Sequence, residues 1–269
     1  MIYPISSLWL KPLIKKLTAS VSGLEHVPKD KEFIIAANHI SMLDPLFIIF
    51  TLLPQFHEKI HFISRPIRIP NPFLRNIVKK WSGTIPMNDD NPSACLDEAL
   101  EYIQHDKIVG IFPEGVRIPI GTTIRRGKTG VIRLALKSKL PILPVGIDAP
   151  GEPHTVHTIQ NIPKRLRRFV HDRHVRLTAN SIISHDGENE LPISWAEFEH
   201  MKKGIRSYFI HAFKYFLKTG YRFKLRFGEP ISLASDYDTP ITYDFLRDRT
   251  DSLMHVLGDL SGRKYNSQK

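Results

Sequence analysis

Phe33-Ile34-Ile35-Ala36-Ala37-Asn38-His39-Ile40-Ser41-Met42-Leu43-Asp44 is an apolar run that gives way to small polar residues, a histidine and a carboxylate. Residues 33–37 are too uniformly apolar to leave one face wet, so they read as a strand covered on both sides. His39 and Asp44 then follow the strand's carboxyl end, where α/β proteins place their sites. Working outward, apolar runs at 60–64, 84–87, 107–112 and 142–147 read as further strands. Between them lie helical patterns. Asn91-Pro92 caps and starts one, with Leu96, Ala99, Leu100 and Ile103 on a single face, and another runs from about Lys128 to Lys139. Pro45–Phe56 reads as a buried helix, and a strand at 222–227 with a helix near 242–260 closes the chain. Such alternation argues for an α/β fold with a mainly parallel central sheet flanked by helices.

The spacing of His39 and Asp44 sets a geometric condition. Five residues of unbroken helix would rotate the two side chains roughly 140° apart. They meet only if the chain turns before a helix begins near Leu43. With that turn, Asp44 accepts the Nδ1 proton and leaves Nε2 as a base, an arrangement of a catalytic triad lacking its own nucleophile. No G-x-S-x-G segment accompanies the pair, which disfavours a serine hydrolase and points to a hydroxyl on the substrate.

A second segment, Phe112-Pro113-Glu114-Gly115-Val116-Arg117, stands at the end of the run 107–112. Pro113 ends the strand and Gly115 permits a tight turn. Arg117 offers a planar fork to a phosphate, and Glu114 offers a carboxylate to a cation or a substrate hydroxyl. Alone, such a string is an ordinary loop with a surface ion pair. Its weight comes from sharing a sheet edge with His39 and Asp44.

Composition sets bounds. The 269 residues suffice for one large domain or two small ones. Cys95 is the single cysteine, so no intramolecular disulfide forms and a structural zinc site is not expected. No run of eighteen apolar residues occurs, and no transmembrane helix is expected. Lysines 11, 15 and 16 interrupt the first apolar stretch, so it does not read as a cleavable signal. The net charge of +11 calls for an anionic partner, either a lipid leaflet or nucleic acid. Residues 2–18 form an amphipathic helix interrupted at Pro12, which lies either at a membrane interface or on the protein's own core. Lys164, Arg165, Arg167, Arg168 and Arg173 cluster in a loop-like stretch, 148–174, and read as a solvated face. Ser194 and Glu197 then form a capping box before a helix with an aromatic stripe from Ile205 to Phe216.

Taken together, these residues resemble the lysophosphatidate acyltransferase (PlsC-type) family of glycerolipid acyltransferases. Asn38-His39 through Asp44 matches its N-H-x-x-x-x-D block, and residues 112–117 match F-P-E-G-[ST]-R. Pro141-Ile142-Leu143-Pro144-Val145 and Gly228-Glu229-Pro230-Ile231 match two later blocks, and Gly23–Pro28 resembles the family's lead-in. The resemblance implies one acyltransferase domain over 23–269, with its core in 23–147 and 223–269 and an added helical region around 150–222. Residues 1–22 become an amphipathic membrane-interface arm, which puts the protein on the cytoplasmic side of a membrane as a peripheral or monotopic protein. His39 becomes the base that deprotonates a lysophospholipid hydroxyl, and Asp44 its orienter. Asn38, Arg65, Glu114, Gly115 and Arg117 become substrate-binding. The donor is acyl-CoA or acyl-carrier protein, with no cofactor, metal or nucleic acid expected, and the segment 45–56 could line a groove for the acyl chain. The oligomeric state is not readable.

Two departures bear on the acceptor. The family's I-P-[VI]-[DN]-R block reads Ile85-Pro86-Met87-Asn88-Asp89 here, without its arginine, and Val116 replaces a hydroxyl residue. Arg65, Arg68, Arg125 and Arg126 are the cations available to replace the missing charge. Two other readings stay open: the same fold acylating a different acceptor, or a non-catalytic basic protein that binds membranes or nucleic acid. No nucleic-acid motif supports the latter.

Overall fold

A computed structural model describes residues 3–64 apart from 31 and 42, 82–87, 91–115 apart from 92, 123–149 and 222–266. It also describes the short strands near 175–191 and the isolated positions 73, 76, 77 and 217. The chain starts with α1 (Tyr3–Leu17), which passes directly into β1 (Thr18–Ser22). Then come β2 (Ile34–Ala37), α2 (Asp44–Phe56), β3 (Ile60–Ser64), β4 (Ile85–Pro86), α3 (Ala94–Gln104) and β5 (Ile108–Ile111). They are followed by β6 (Thr123–Ile124), α4 (Gly130–Ser138), β7 (Ile142–Asp148) and three short strands, β8 (Val175–Leu177), β9 (Ile182–Ser184) and β10 (Glu190–Leu191). The last elements are β11 (Phe223–Phe227), α5 (Tyr243–Ser261) and β12 (Lys264–Tyr265).

Seven strands form one sheet in the order β1-β11-β7-β2-β5-β3-β4. β2 pairs parallel with both β5 and β7, Ile34 facing Val109 on one side and Ile142 on the other. β3 continues the parallel block beside β5, and β4 beside β3. β11 runs antiparallel to β7, and β1 runs parallel to β11. The expected mainly parallel sheet is therefore present, with a two-strand reversal at one edge.

The period of two along each strand divides the core. Ile35, Ala37, Leu143, Val145 and Ile147 face α1 and α2, together with Phe223, Leu225 and Phe227. Ile34, Ala36, Val109, Ile111 and Ile142 face the opposite way, onto α3, α4 and α5. A run such as 33–37 is uniformly apolar because both of its faces are covered by helices. Phe47 of α2 stacks on Phe223 of β11, ring centroids 3.9 Å apart, and joins the first helix layer to the sheet.

Gly110, in the middle of β5, makes room for this packing. A Cβ there would lie 2.3 Å from the Phe62 ring. Gly110→Ala is expected to cost about 1–3 kcal/mol through overpacking, read as a lower urea midpoint. An unchanged midpoint would mean that Phe62 moves aside without strain.

Several boundaries differ from the sequence reading. The sheet begins at Thr18, because the last five residues of the supposed 1–22 arm are its edge strand. Ser93 caps α3, and Asn91 instead closes the turn before it, accepting the Ser93 hydroxyl on Oδ1 at 2.7 Å. Within 148–222, expected to be an added helical region, β8, β9 and β10 form a separate antiparallel sheet. The basic cluster at 164–173, the capping box at 194–197 and the aromatic helix from 205 to 216 lie outside the described residues. The described half of α1 turns Ile14 and Leu17 into the core, and Lys11, Lys15 and Lys16 are exposed. Among the described residues no helix is long and apolar enough to cross a membrane.

Candidate active site

The carboxyl ends of β2 and β5 bring the two predicted segments together. The chain turns at 38–43 and α2 starts at Asp44, so the condition set by the five-residue spacing is met. His39 Nδ1 lies 2.7 Å from Asp44 Oδ2. The same oxygen accepts the amides of Ile40 at 2.7 Å and Ser41 at 2.8 Å. Asp44 is fully buried and held by two amides of its own loop. A carboxylate only accepts, which places the shared proton on Nδ1 and makes Nε2 the basic nitrogen. The His39 side chain keeps 17% of its exposure, so the imidazole meets solvent or substrate while its partner does not.

Ser41, the nearest hydroxyl in sequence, is no nucleophile for this base. It is buried, and its Oγ accepts the Leu43 amide at 3.1 Å. One face of the imidazole is covered by Phe112, ring centroids 4.1 Å apart and planes nearly parallel. Phe112 stacks in turn on Phe62 at 5.0 Å. The imidazole is thus set by a column of aromatic side chains as well as by Asp44.

Glu114 is almost completely buried and binds no surface group. Its Oε1 accepts the His39 amide at 2.8 Å and its Oε2 the Arg125 amide at 3.1 Å. Burial pushes its carboxyl up to about 7, against the two amide bonds and the charge of Arg263, which lower it, while Asp44 raises it further. Glu114 is therefore a brace between the His39 loop and the segment after β6. Arg263 is itself buried, which lowers its pKa, and it lies within electrostatic reach of Glu114, Asp44 and Asp148.

Asn38 has a comparable bracing geometry. Its amide donates to the Ile147 carbonyl at 2.9 Å and accepts the Ile147 amide at 2.7 Å, latching the end of β2 to β7. A fully buried side chain bonded in this way is positioned to hold the loop. Gly115 has φ +68 in the turn after Glu114, where its amide donates to the Phe112 carbonyl at 3.0 Å. That left-handed geometry explains the glycine. Arg65 and Arg117, and with them Arg68 and Val116, lie outside the described residues. Sequence reading missed Phe112 as a ring partner, the Arg125 backbone as a contact, and Arg263. Only the first had a signal, an aromatic residue closing the strand ahead of Pro113. Among the described residues no group of three His, Cys, Asp or Glu side chains is arranged to hold a metal.

A histidine oriented by a buried carboxylate at the carboxyl ends of parallel strands has the chemistry of a general base. Residues 18–148, just under half the chain, match the family model described as Acyltransferase. The chain is similar to a protein of Borreliella burgdorferi, 35% identical over 142 residues, covering 52% of this chain and 53% of that one. A Bacillus subtilis protein is 26% identical over 132 residues, covering 49% and 63%. Both are named 1-acyl-sn-glycerol-3-phosphate acyltransferase. The chain spans little more than half the length of these relatives. The crystal structure of the 1-acyl-sn-glycerophosphate (LPA) acyltransferase, PlsC, from Thermotoga maritima aligns with a TM-score of 0.46 and 20% identity, over 97% of this chain and 84% of that one.

Proposed function

We propose that the protein is an O-acyltransferase that moves a fatty acyl group from an acyl thioester to the free hydroxyl of lysophosphatidic acid or a related lysophospholipid, in phospholipid biosynthesis. The observation that carries the reading is the 2.7 Å contact between His39 Nδ1 and an Asp44 oxygen anchored by two backbone amides. The names of the relatives support the substrate class. His39 Nε2 takes the proton as the acceptor hydroxyl attacks the thioester carbonyl. The tetrahedral oxyanion collapses, the carbon–sulfur bond breaks, and the imidazolium returns its proton to the departing thiolate. Ester and free thiol are the products, and Asp44 stabilises the transient imidazolium.

The donor is acyl-CoA or acyl-carrier protein, whose acidic character suits a chain of net charge +11. Exposed Lys11, Lys15 and Lys16 on α1 suit an anionic cytoplasmic leaflet, to which the protein would bind peripherally. A second reading keeps the reaction and changes the acceptor, because Asp89 stands where the family carries an arginine.

A thiol-release assay tests both readings. Palmitoyl-CoA and palmitoyl-carrier protein are each offered with lysophosphatidate, glycerol 3-phosphate, lysophosphatidylethanolamine and an amino-acid lysolipid. Acceptor-dependent release with lysophosphatidate is the expected result, and preference for another member of the panel moves the conclusion to the second reading. No release with any pair, together with intact binding to anionic vesicles, would replace the enzyme with a binding protein.

A further inference from the structure

The segment after the Glu114 turn is held from the far end of the chain. Thr123 and Ile124 of β6 pair with Lys264 and Tyr265 of β12. Arg247 of α5 donates from Nη1 to the Gly127 carbonyl at 2.7 Å and from Nη2 to Asp251. Asp251 also accepts the Tyr265 hydroxyl, so one carboxylate ties α5 to β12. Gly127 lies against α5 so closely that a Cβ would be 2.6 Å from the Met254 sulfur.

The other side of this segment faces the site. The Arg125 amide donates to Glu114 Oε2, and the Lys128 amide donates to the Pro113 carbonyl at 2.8 Å. Glu114 Oε1 in turn holds the His39 amide. A path therefore runs by hydrogen bonds from Asp251 through Arg247 to Gly127, along the backbone from 127 to 125, and by hydrogen bonds again from the Arg125 amide through Glu114 to His39. Arg247, Asp251 and Tyr265 all lie beyond the span 18–148 that matches the family.

We propose that Arg247 is a positioning residue for acyl transfer: by gripping the Gly127 carbonyl it sets the Arg125 amide, and through Glu114 the loop that carries His39. The inference rests on the acyl-transfer reading for its kinetic test but not for its structural one. Arg247 touches no reacting atom. An arginine that merely stapled α5 would alter stability and leave the His39 loop alone.

The test is Arg247→Ala beside Arg247→Lys, assayed well below the melting temperature. The alanine variant should lose about tenfold in kcat with KM unchanged, a size common for coupling through packed networks. The acid limb of its pH profile should move upward. Glu114 is faced by the His39 and Arg125 amides, the Arg125 and Arg263 guanidiniums and the Asp44 carboxylate, and of these only the two Arg125 groups sit on the segment that Arg247 holds. In a Glu114→Gln background the same substitution should leave the limb in place. Lysine, which keeps one donor for the carbonyl, should recover part of kcat.

Amide hydrogen exchange supplies the substrate-free readout. In Arg247→Ala the His39 and Arg125 amides should exchange faster, whatever the protein acylates. Faster exchange confined to α5, with wild-type kcat and pH limb, would overturn the proposal. Absence of any acyl transfer by the wild type, with the His39 amide still loosened in the variant, would remove the activity and keep the coupling.

Discussion

Replacing His39 with alanine should lower acyl transfer by about 10,000-fold while the protein stays folded, since the residue supplies both the base and the acid of the reaction. The lost contacts include a ring stack on Phe112 and the bond to Asp44, and the stability change should stay near 1 kcal/mol. Asp44→Asn separates charge from shape. An asparagine oxygen in place of Oδ2 still accepts the Ile40 and Ser41 amides, so the turn persists. The other side-chain position, Oδ1, is buried without a hydrogen bond, so the introduced NH2 falls where the native side chain makes no bond. The imidazolium loses its counter-charge, and kcat should fall by about 1,000-fold or more. Steady-state kinetics with circular dichroism checks both. Transfer within tenfold of wild type in the His39 variant would remove it from the mechanism.

Glu114→Gln should be the next most damaging change after those at His39 and Asp44, at about 100-fold in kcat, although the substitution is nearly isosteric. Glu114 uses both oxygens as acceptors, for the amides of His39 and Arg125. Glutamine brings one acceptor and one NH2, so one of those buried amides must face a donor, at a cost of about 1–3 kcal/mol. A protonated Glu114 is weakened in the same direction, because its hydroxyl oxygen is a poorer acceptor for a buried amide and its proton needs an acceptor of its own. The wild-type rate should therefore fall as pH drops through about 7, where burial has placed this carboxyl.

Stability carries the opposite sign. The folded protein holds a Glu114 proton that the unfolded chain has already released, from the ordinary value of 4.5 up to about 7. Over that window stability declines as pH rises, by about 3 kcal/mol in total. Urea midpoints at pH 5 and pH 8 measure it. The decline should be smaller in Glu114→Gln by this amount, and parallel profiles for the two proteins would show that Glu114 is ionised throughout.

The parallel block of the sheet could be read from residues 33–37, 60–64, 108–111 and 142–147, because burial on both faces leaves mainly apolar side chains there. The His39–Asp44 turn was also readable, since helical geometry leaves a pair spaced by five no other way to meet. The roles of Asn38 and Glu114 were not. A polar side chain beside a catalytic histidine has the same one-letter signature whether it meets a ligand or a backbone amide, and only the tertiary path shows that Ile147 and Arg125 stand in front of these two. β1 escaped notice because its burial pattern is mixed and its partner, β11, is some two hundred residues away. Arg247 and Arg263 act across comparable separations and leave no local pattern at all.

The direct passage of α1 into β1 has a bearing on how the chain tolerates shortening. A protein started at residue 23 would lose more than a helix. It would leave the β11 edge unpaired over Phe223–Phe227, with the apolar side chains that Leu17 and Ile14 cover laid open beside it. An open backbone edge next to bare hydrocarbon is a template for strand addition between molecules. Trimming the leader to obtain a more tractable protein should therefore yield filaments or precipitate.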